Sequence, residues 1–178
     1  PVRLALKTRT LFNILGPLAN PAKPTHSVLG VYTPDLLDAY AQTLVKLGHQ
    51  RAYVIHGSGL DELALHGDSQ IVEVNKGLIT QSRISPADFG LKNHPLSAIE
   101  GGEPEENKKY VEAALHGEGH EAHRAAIAMN CSALLNVTGH AASFKDGAEM
   151  AMQAMTDGTP LRVLEQVANI TQEVSTNG

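Results

Sequence analysis

Residues 27–56, SVLGVYTPDLLDAYAQTLVKLGHQRAYVIH, decide the fold. The stretch begins with a compact apolar run over residues 27–32 and ends with a second one over 51–56, each of the length of a buried strand. Between them Thr33 is the expected helix cap, Pro34 suits the first helical position, and leucines recur at helical spacing until Gly48. A strand, a helix and a strand joined by short links predict two parallel strands with a right-handed crossover.

The residues after this unit predict an antiparallel hairpin and then a mostly helical second half. Apolar residues recur over 71–74 and 78–80, on either side of the turn sequence Asn75-Lys76-Gly77. A helix start at Pro104 follows, and then helical patterns over 120–137, 144–155 and 161–172. We therefore predict an α/β fold in which a mostly parallel sheet, with a hairpin as its antiparallel element, is flanked by helices.

The length of the chain favours a single domain. A domain of 178 residues buries roughly 70 % of the surface that its unfolded chain exposes. No internal repeat or linker divides the sequence. We predict one α/β domain over residues 1–178, in which residues 1–24 form a connection interrupted by prolines and residues 25–178 form the core with its helical second half.

The composition bears on the setting of the protein and on its partners. The formal net charge is −5 and no cluster of Lys and Arg occurs, which argues against nucleic acid and anionic membranes as partners. No stretch approaches the ~20 apolar residues of a membrane span. Cys131 is the only cysteine, so no internal disulfide can form, and a cytoplasmic location is the simplest expectation.

The most suggestive local sequence is HGSGLDE, residues 56–62, directly after the second predicted strand. Ligands of open α/β sheets bind beyond the carboxyl ends of the strands, and glycines allow a ligand to approach the backbone. Asp61 and Glu62 are adjacent hard carboxylates of the kind that hold Mg²⁺ against a phosphorylated substrate. The alternative is a glycine turn followed by two solvated acids.

Other polar residues are weaker candidates. Arg3 carries a guanidinium that could hold a carboxylate in a bidentate fork, although an ordinary surface arginine has the same local sequence. His116, His120 and His123 have a spacing that suggests a metal site, but the intervening glycines favour a solvated loop. No nucleophile motif and no phosphate-binding P-loop is present, so we assign no catalytic residue.

Several motifs together resemble those of the anthranilate phosphoribosyltransferases. The first is Val2-Arg3 followed by KTRTLFNILGPL at residues 7–18 and Asn20-Pro21-Ala22. Further along the chain come, in the family's order, GVY at 30–32, HGSGLDE at 56–62, DFGL at 88–91, GG at 101–102 and PEEN at 104–107. The likeness covers essentially the whole chain and implies the nucleoside phosphorylase/phosphoribosyltransferase-like catalytic fold.

The resemblance implies a reaction, its substrates and the roles of three residues. Members of that family transfer the phosphoribosyl group of phosphoribosyl pyrophosphate to the amine of anthranilate in tryptophan biosynthesis. The acids matching Asp61 and Glu62 help to hold Mg²⁺ on the pyrophosphate, and the arginine matching Arg3 contacts the anthranilate carboxylate. A homodimer is implied for the intact enzyme.

The resemblance also implies that parts of the enzyme are missing. The family's Gly-Thr-Gly-Gly-Asp loop, Asn-x-Ser-Thr segment and Lys-His-Gly-Asn-Arg segment, which cradle the phosphoribosyl substrate, do not occur here. The helical amino-terminal domain of the family is represented at most by a remnant within residues 1–24. We therefore expect a carboxyl-terminal portion of the enzyme that is inactive by itself.

Three alternatives remain open at this point. Pyrimidine nucleoside phosphorylases resemble this family in architecture and also act at a ribose anomeric carbon. Some proteins similar to the transferase bind nucleic acid without catalysis, which the net charge of −5 disfavours. A folded scaffold without its own activity is the third possibility.

Overall fold

A four-stranded mixed sheet forms the centre of the protein, in a computed structural model that describes residues 16–176, with side chains through residue 172. The strands are β1 (His26–Gly30), β2 (Arg51–Gly57), β3 (Ser69–Asn75) and β4 (Leu78–Ile84), and they lie side by side in chain order. β1 and β2 are parallel, with His26 opposite Arg51. β3 is antiparallel to both β2 and β4.

Five α-helices within residues 16–176 flank the sheet. They are α1 (Leu37–Lys46), α2 (Pro104–Leu115), α3 (Glu121–Val137), α4 (Phe144–Thr156) and α5 (Thr159–Thr176). A short 3₁₀ turn, Pro34–Leu36, leads into α1. The predicted strand-helix-strand unit, the hairpin and the helical second half are all confirmed.

The balance of strand directions differs from the mostly parallel sheet that the sequence predicted. Among the described residues, one pair of strands is parallel and two pairs are antiparallel. The reason is the link between β2 and β3, residues 58–68, which contains no helix and brings the chain straight back along β2. A parallel neighbour would need a crossover connection, usually a helix.

Each face of the sheet is covered by its own hydrophobic cluster. Tyr53, Ile55 and Ile71 point to one face and pack there with Met129 and other residues of α3. Their neighbours along the strands point to the other face, where they pack with α1; these residues are Ala52, Val54, Val72 and Val74. The alternation follows from the strand period of two, and it places α1 and α3 on opposite faces.

A buried polar network fixes the carboxyl end of α3 to the start of β2. The Arg51 guanidinium donates to the Asn136 carbonyl at 2.7 Å and to Glu73 Oε1 at 2.8 Å. The Tyr53 hydroxyl donates to Asn136 Oδ1 at 2.6 Å, and the Asn136 amide donates to the Ala141 carbonyl at 3.1 Å. Because an unpaired buried polar group is costly, this satisfied network holds α3 in one position on the sheet.

The first described residues lead into β1, and the predicted division of the chain at residue 24 stays a prediction. After a 3₁₀ turn at Gly16–Leu18, residues 19–25 form neither helix nor strand. Residues 1–15 lie outside the described residues, and with them most of the predicted remnant of a helical domain. A search of the described part for a helix long and apolar enough to span a membrane finds none.

Candidate metal and substrate site

The acid pair, Asp61 and Glu62, packs against two glycines at the carboxyl ends of the parallel strands. Gly30 ends β1 and Gly57 ends β2. A Cβ atom at Gly30 would lie 1.5 Å from the Asp61 carbonyl oxygen, and one at Gly57 would lie 2.1 Å from the Glu62 carbonyl oxygen. The backbone of Asp61 and Glu62 therefore occupies the space that side chains would fill, which fixes the pair at the sheet edge where ligands of α/β proteins bind.

A tight turn between β2 and the acid pair sets the path of this loop. Gly57 and Leu60 exchange backbone hydrogen bonds of 3.0 and 2.9 Å, with Ser58 and Gly59 at positive φ of 45° and 97° between them. Two positive φ values in succession are the geometry of a type I′ turn. The Ser58 hydroxyl donates to the Asp68 carbonyl at 2.7 Å, which joins the turn to the end of the same loop.

His56 connects the turn to the chain beyond β1. Its side chain is buried, and Nδ1 donates to the Val31 carbonyl at 2.8 Å. Because a carbonyl only accepts, the proton lies on Nδ1, and Nε2 is left to accept the Gly59 N–H at 3.4 Å. The histidine of the HGSGLDE motif is thus a structural link between the turn and the chain beyond β1.

The carboxylates of Asp61 and Glu62 are both exposed at the surface. No ion pair in the described part of the chain includes Asp61 or Glu62. Partial desolvation raises the pKa of the Glu62 carboxyl from its ordinary value, and the charge of Asp61 raises it further. Two uncompensated neighbouring acids suit a hard divalent cation, since Mg²⁺ is typically bound by one or two carboxylates together with substrate phosphates.

Asn130 of α3 contacts the same loop, and the sequence reasoning missed it. Its Oδ1 accepts the Leu63 N–H at 3.0 Å, and its Nδ2 donates to Glu62 Oε2 at 3.4 Å. The local signal was a carboxamide within the otherwise apolar run of α3, at a position that packs inward. Its partners are 67 and 68 residues away in the sequence, so periodicity could not identify them.

A small cavity of about 230 Å³ opens beside Glu62. It is bounded mainly by α2 and α3, through Tyr110, Val111, His123 and Ile127, and by Ile99 and Gly101 before α2. Of the three histidines considered as metal ligands, only His123 lines this cavity, and its ring lies 5.9 Å from that of His120. His120 caps α3 by accepting the Ala122 N–H, His123 packs against the Tyr110 ring at 5.0 Å, and His116 is exposed at the end of α2.

These histidines do not form a metal centre. Among residues 16–172, no group of three or more His, Cys, Asp or Glu side chains is arranged to hold a metal ion. Arg3, the predicted contact for a substrate carboxylate, lies outside the described residues.

Comparisons with known proteins show which family the chain resembles. A family model described as "Glycosyl transferase family, a/b domain" matches residues 1–161. The anthranilate phosphoribosyltransferase of Tolumonas auensis is 49 % identical over 173 residues, which are 97 % of this chain and 52 % of the relative. That of Colwellia psychrerythraea is also 49 % identical, over 98 % of this chain and 48 % of its own length. The chain thus spans about half the length of these curated relatives.

Solved structures extend the likeness to three dimensions. Anthranilate phosphoribosyltransferase from Thermus thermophilus superposes with a TM-score of 0.84 at 40 % identity, covering 93 % of this chain and 49 % of that protein. The Saccharomyces cerevisiae enzyme in complex with PRPP and Mg gives a TM-score of 0.82 at 28 % identity, over 92 % of this chain and 48 % of that one. The resemblance seen in the motifs is confirmed, and the chain belongs to the glycosyl transferase family in its a/b domain.

Proposed function

We propose that this chain is the metal-binding α/β part of an anthranilate phosphoribosyltransferase. In this proposal the complete enzyme moves the phosphoribosyl group of phosphoribosyl pyrophosphate to the amine of anthranilate. The observation that carries it is the acid pair, whose backbone packs on Gly30 and Gly57 at the carboxyl ends of two parallel strands and which forms no ion pair within residues 16–172. The relatives at 49 % identity support it.

In the proposed reaction, this part of the protein positions the metal ion that neutralises the leaving group. Breaking the bond at the ribose anomeric carbon leaves positive charge on the sugar and builds negative charge on the departing pyrophosphate. Mg²⁺ bound to the acid pair would neutralise the charge on that leaving group. Asp61 and Glu62 would hold the ion, and the turn at Gly57–Leu60 would keep both acids at the sheet edge.

The other parts of the proposal rest on the resemblance. Arg3 would bind the anthranilate carboxylate through its guanidinium, as a planar fork suits a planar carboxylate. We infer a homodimer and a cytoplasmic location for the complete enzyme. The relatives' names favour the transferase over a nucleoside phosphorylase, and the net charge of −5 offers no support for nucleic acid.

The test is the magnesium dependence of the full-length protein. Asp61→Asn and Glu62→Gln keep the size of each side chain and remove its charge. We expect both to lower the rate of phosphoribosyl anthranilate formation by about 10²-fold or more at limiting Mg²⁺, since each removes a ligand of the ion. Asp68→Asn is the matched control, because Asp68 is an exposed acid of the same loop outside the pair. An unchanged Mg²⁺ dependence in both pair variants would remove these acids from the site.

A second measurement concerns the 178-residue chain by itself. We expect no steady turnover, because the three segments that cradle the phosphoribosyl substrate in the family are not present in this sequence. Steady formation of product by the purified chain would contradict the proposal that the substrate site is shared with other segments.

A further inference from the structure

We propose that Asn130 is a positioning residue that sets the Glu62 carboxylate for the metal ion. The inference rests on the proposed function, since it gives Asn130 a role only if Glu62 binds Mg²⁺. Asn130 lies on α3, outside the loop that carries the acids, and its side chain contacts both the backbone and the carboxylate of that loop.

The hydrogen bonds of Asn130 define the orientation of its amide. The Leu63 N–H can only donate, so the atom 3.0 Å from it must be Oδ1. The Ala126 carbonyl can only accept, so the atom 3.1 Å from it must be Nδ2. The second hydrogen of Nδ2 is then available to Glu62 Oε2 at 3.4 Å. A flipped amide would break the first two bonds.

This orientation matters because nothing else described holds the Glu62 side chain. Glu62 is exposed and forms no ion pair within the described part of the chain, so without Asn130 its carboxylate would sample several rotamers. Asn130 is half-buried and is fixed by its bond to its own helix at Ala126. The fixed Asn130 amide therefore restricts the Glu62 carboxylate, as is usual for residues that orient metal ligands.

The position of α3 is itself fixed at its other end. The network of Arg51 and Tyr53 with Asn136 anchors the helix to the first residues of β2. Asn130 lies on the same helix, six residues earlier, and contacts the chain just beyond the end of β2. Helix α3 thus fixes the position of the Glu62 carboxylate relative to β2, the strand that precedes the acid loop, residues 58–68.

Calorimetric titration of Mg²⁺ into the full-length protein, in the presence of pyrophosphate, tests the proposal without relying on turnover. Asn130→Leu has similar size and no hydrogen-bonding group. We expect it to weaken Mg²⁺ binding by about 10–100-fold, the usual effect of removing a partner of a metal ligand. Amide hydrogen exchange should show faster exchange at Leu63 in the same variant. Ser132→Ala is the control, since it removes a hydrogen bond from α3 to the Phe144 carbonyl and leaves the acid loop untouched.

A double-mutant cycle with Glu62→Gln separates positioning from a structural role. If Asn130 acts through the carboxylate, Asn130→Leu should change Mg²⁺ binding by less than about twofold in the Glu62→Gln background. An equal loss in both backgrounds would overturn the proposal. If Asn130→Leu does not fold, Asn130→Ala is measured in the same cycle.

Failure of this inference differs from failure of the proposed function. If Asn130→Leu leaves Mg²⁺ binding within about twofold of wild type while Asp61→Asn and Glu62→Gln weaken it, only the role of Asn130 is refuted. If the two acid variants also bind Mg²⁺ as wild type does, the acid pair is not the metal site and both proposals are wrong.

Discussion

Replacing Gly30 with alanine should displace the acid pair while leaving the rest of the sheet in place. The new Cβ would lie 1.5 Å from the Asp61 carbonyl oxygen, whereas carbon and carbonyl oxygen ordinarily approach to about 3.3 Å. The carbonyl would therefore have to retreat by about 1.8 Å. Because the contact is with backbone, no side-chain rotation can relieve it, and the loop itself must move.

The expected effect on function is large compared with the effect on stability. Catalytic and metal-binding groups must be held within about 0.5 Å, and a misplacement of about 1 Å can lower a rate by about 10²-fold. Overpacking by one methyl group costs about 1–3 kcal/mol of folding stability. We therefore expect Gly30→Ala to reduce Mg²⁺-dependent phosphoribosyl transfer in the full-length protein by about 10²-fold or more, and the protein to remain folded.

The assay compares initial rates over a range of Mg²⁺ concentrations with thermal melting of the same samples. Gly77→Ala is the matched control: Gly77 lies in the β3–β4 turn, a Cβ there meets nothing within 4 Å, and its φ of 85° makes alanine strained. That strain costs about 1–2 kcal/mol without moving the acids. A Gly30→Ala protein with the Mg²⁺ dependence and rate of Gly77→Ala would refute the argument that Gly30 sets the position of the acid pair.

Two further predictions concern folding stability. Burial raises the pKa of Tyr53 to about 12, and the charge of Glu73 adds to the shift. The folded protein therefore gains stability from the protonated phenol. This gain is complete below pH 10, the ordinary pKa of tyrosine, and is lost as the pH rises towards 12. In chemical denaturation, the free energy of unfolding of the wild type should fall by about 2–3 kcal/mol more between these pH values than that of Tyr53→Phe. An equal fall in both proteins would contradict this linkage. Met129→Ala, at a fully buried core position, should lower the free energy of unfolding by about 2–5 kcal/mol. Met150→Ala, at an exposed position of α4, should change it by about 0.5 kcal/mol or less, and similar losses in both would contradict the assigned core.

The elements with strong local signals were predictable, and the long-range relations between them were less so. Apolar runs and turn residues correctly predicted β1, β2 and the hairpin, because burial and period determine both pattern and structure. The direction of β3 depends on whether residues 58–68 form a crossover, which their composition does not reveal. The predicted cap at Thr33 was wrong in detail. The Thr33 hydroxyl donates to the Asp35 carboxylate, and α1 begins at Leu37 after a 3₁₀ turn.

For the candidate site, too, the local feature was predictable from the sequence and the long-range contacts were not. The loop with Asp61 and Glu62 could be placed at the sheet edge, because it follows a buried strand directly and loops after such strands form ligand sites. The supports of that loop could not be deduced, since Gly30 and Asn130 come from distant parts of the chain. A glycine at the end of a strand and an asparagine within a helix are common, and only the fold shows that both contact residues 61–63.

Because the acid loop packs against Gly30 of β1 and Gly57 of β2, its position depends on how these two strands are aligned. A slip of one residue between the two strands would place Leu29 or Val31 beneath the Asp61 carbonyl, where neither side chain fits. The loop can therefore close only after the two strands have paired in their native alignment. Binding of the proposed ion should therefore appear only after β1 and β2 have paired, and it would report that their pairing is native.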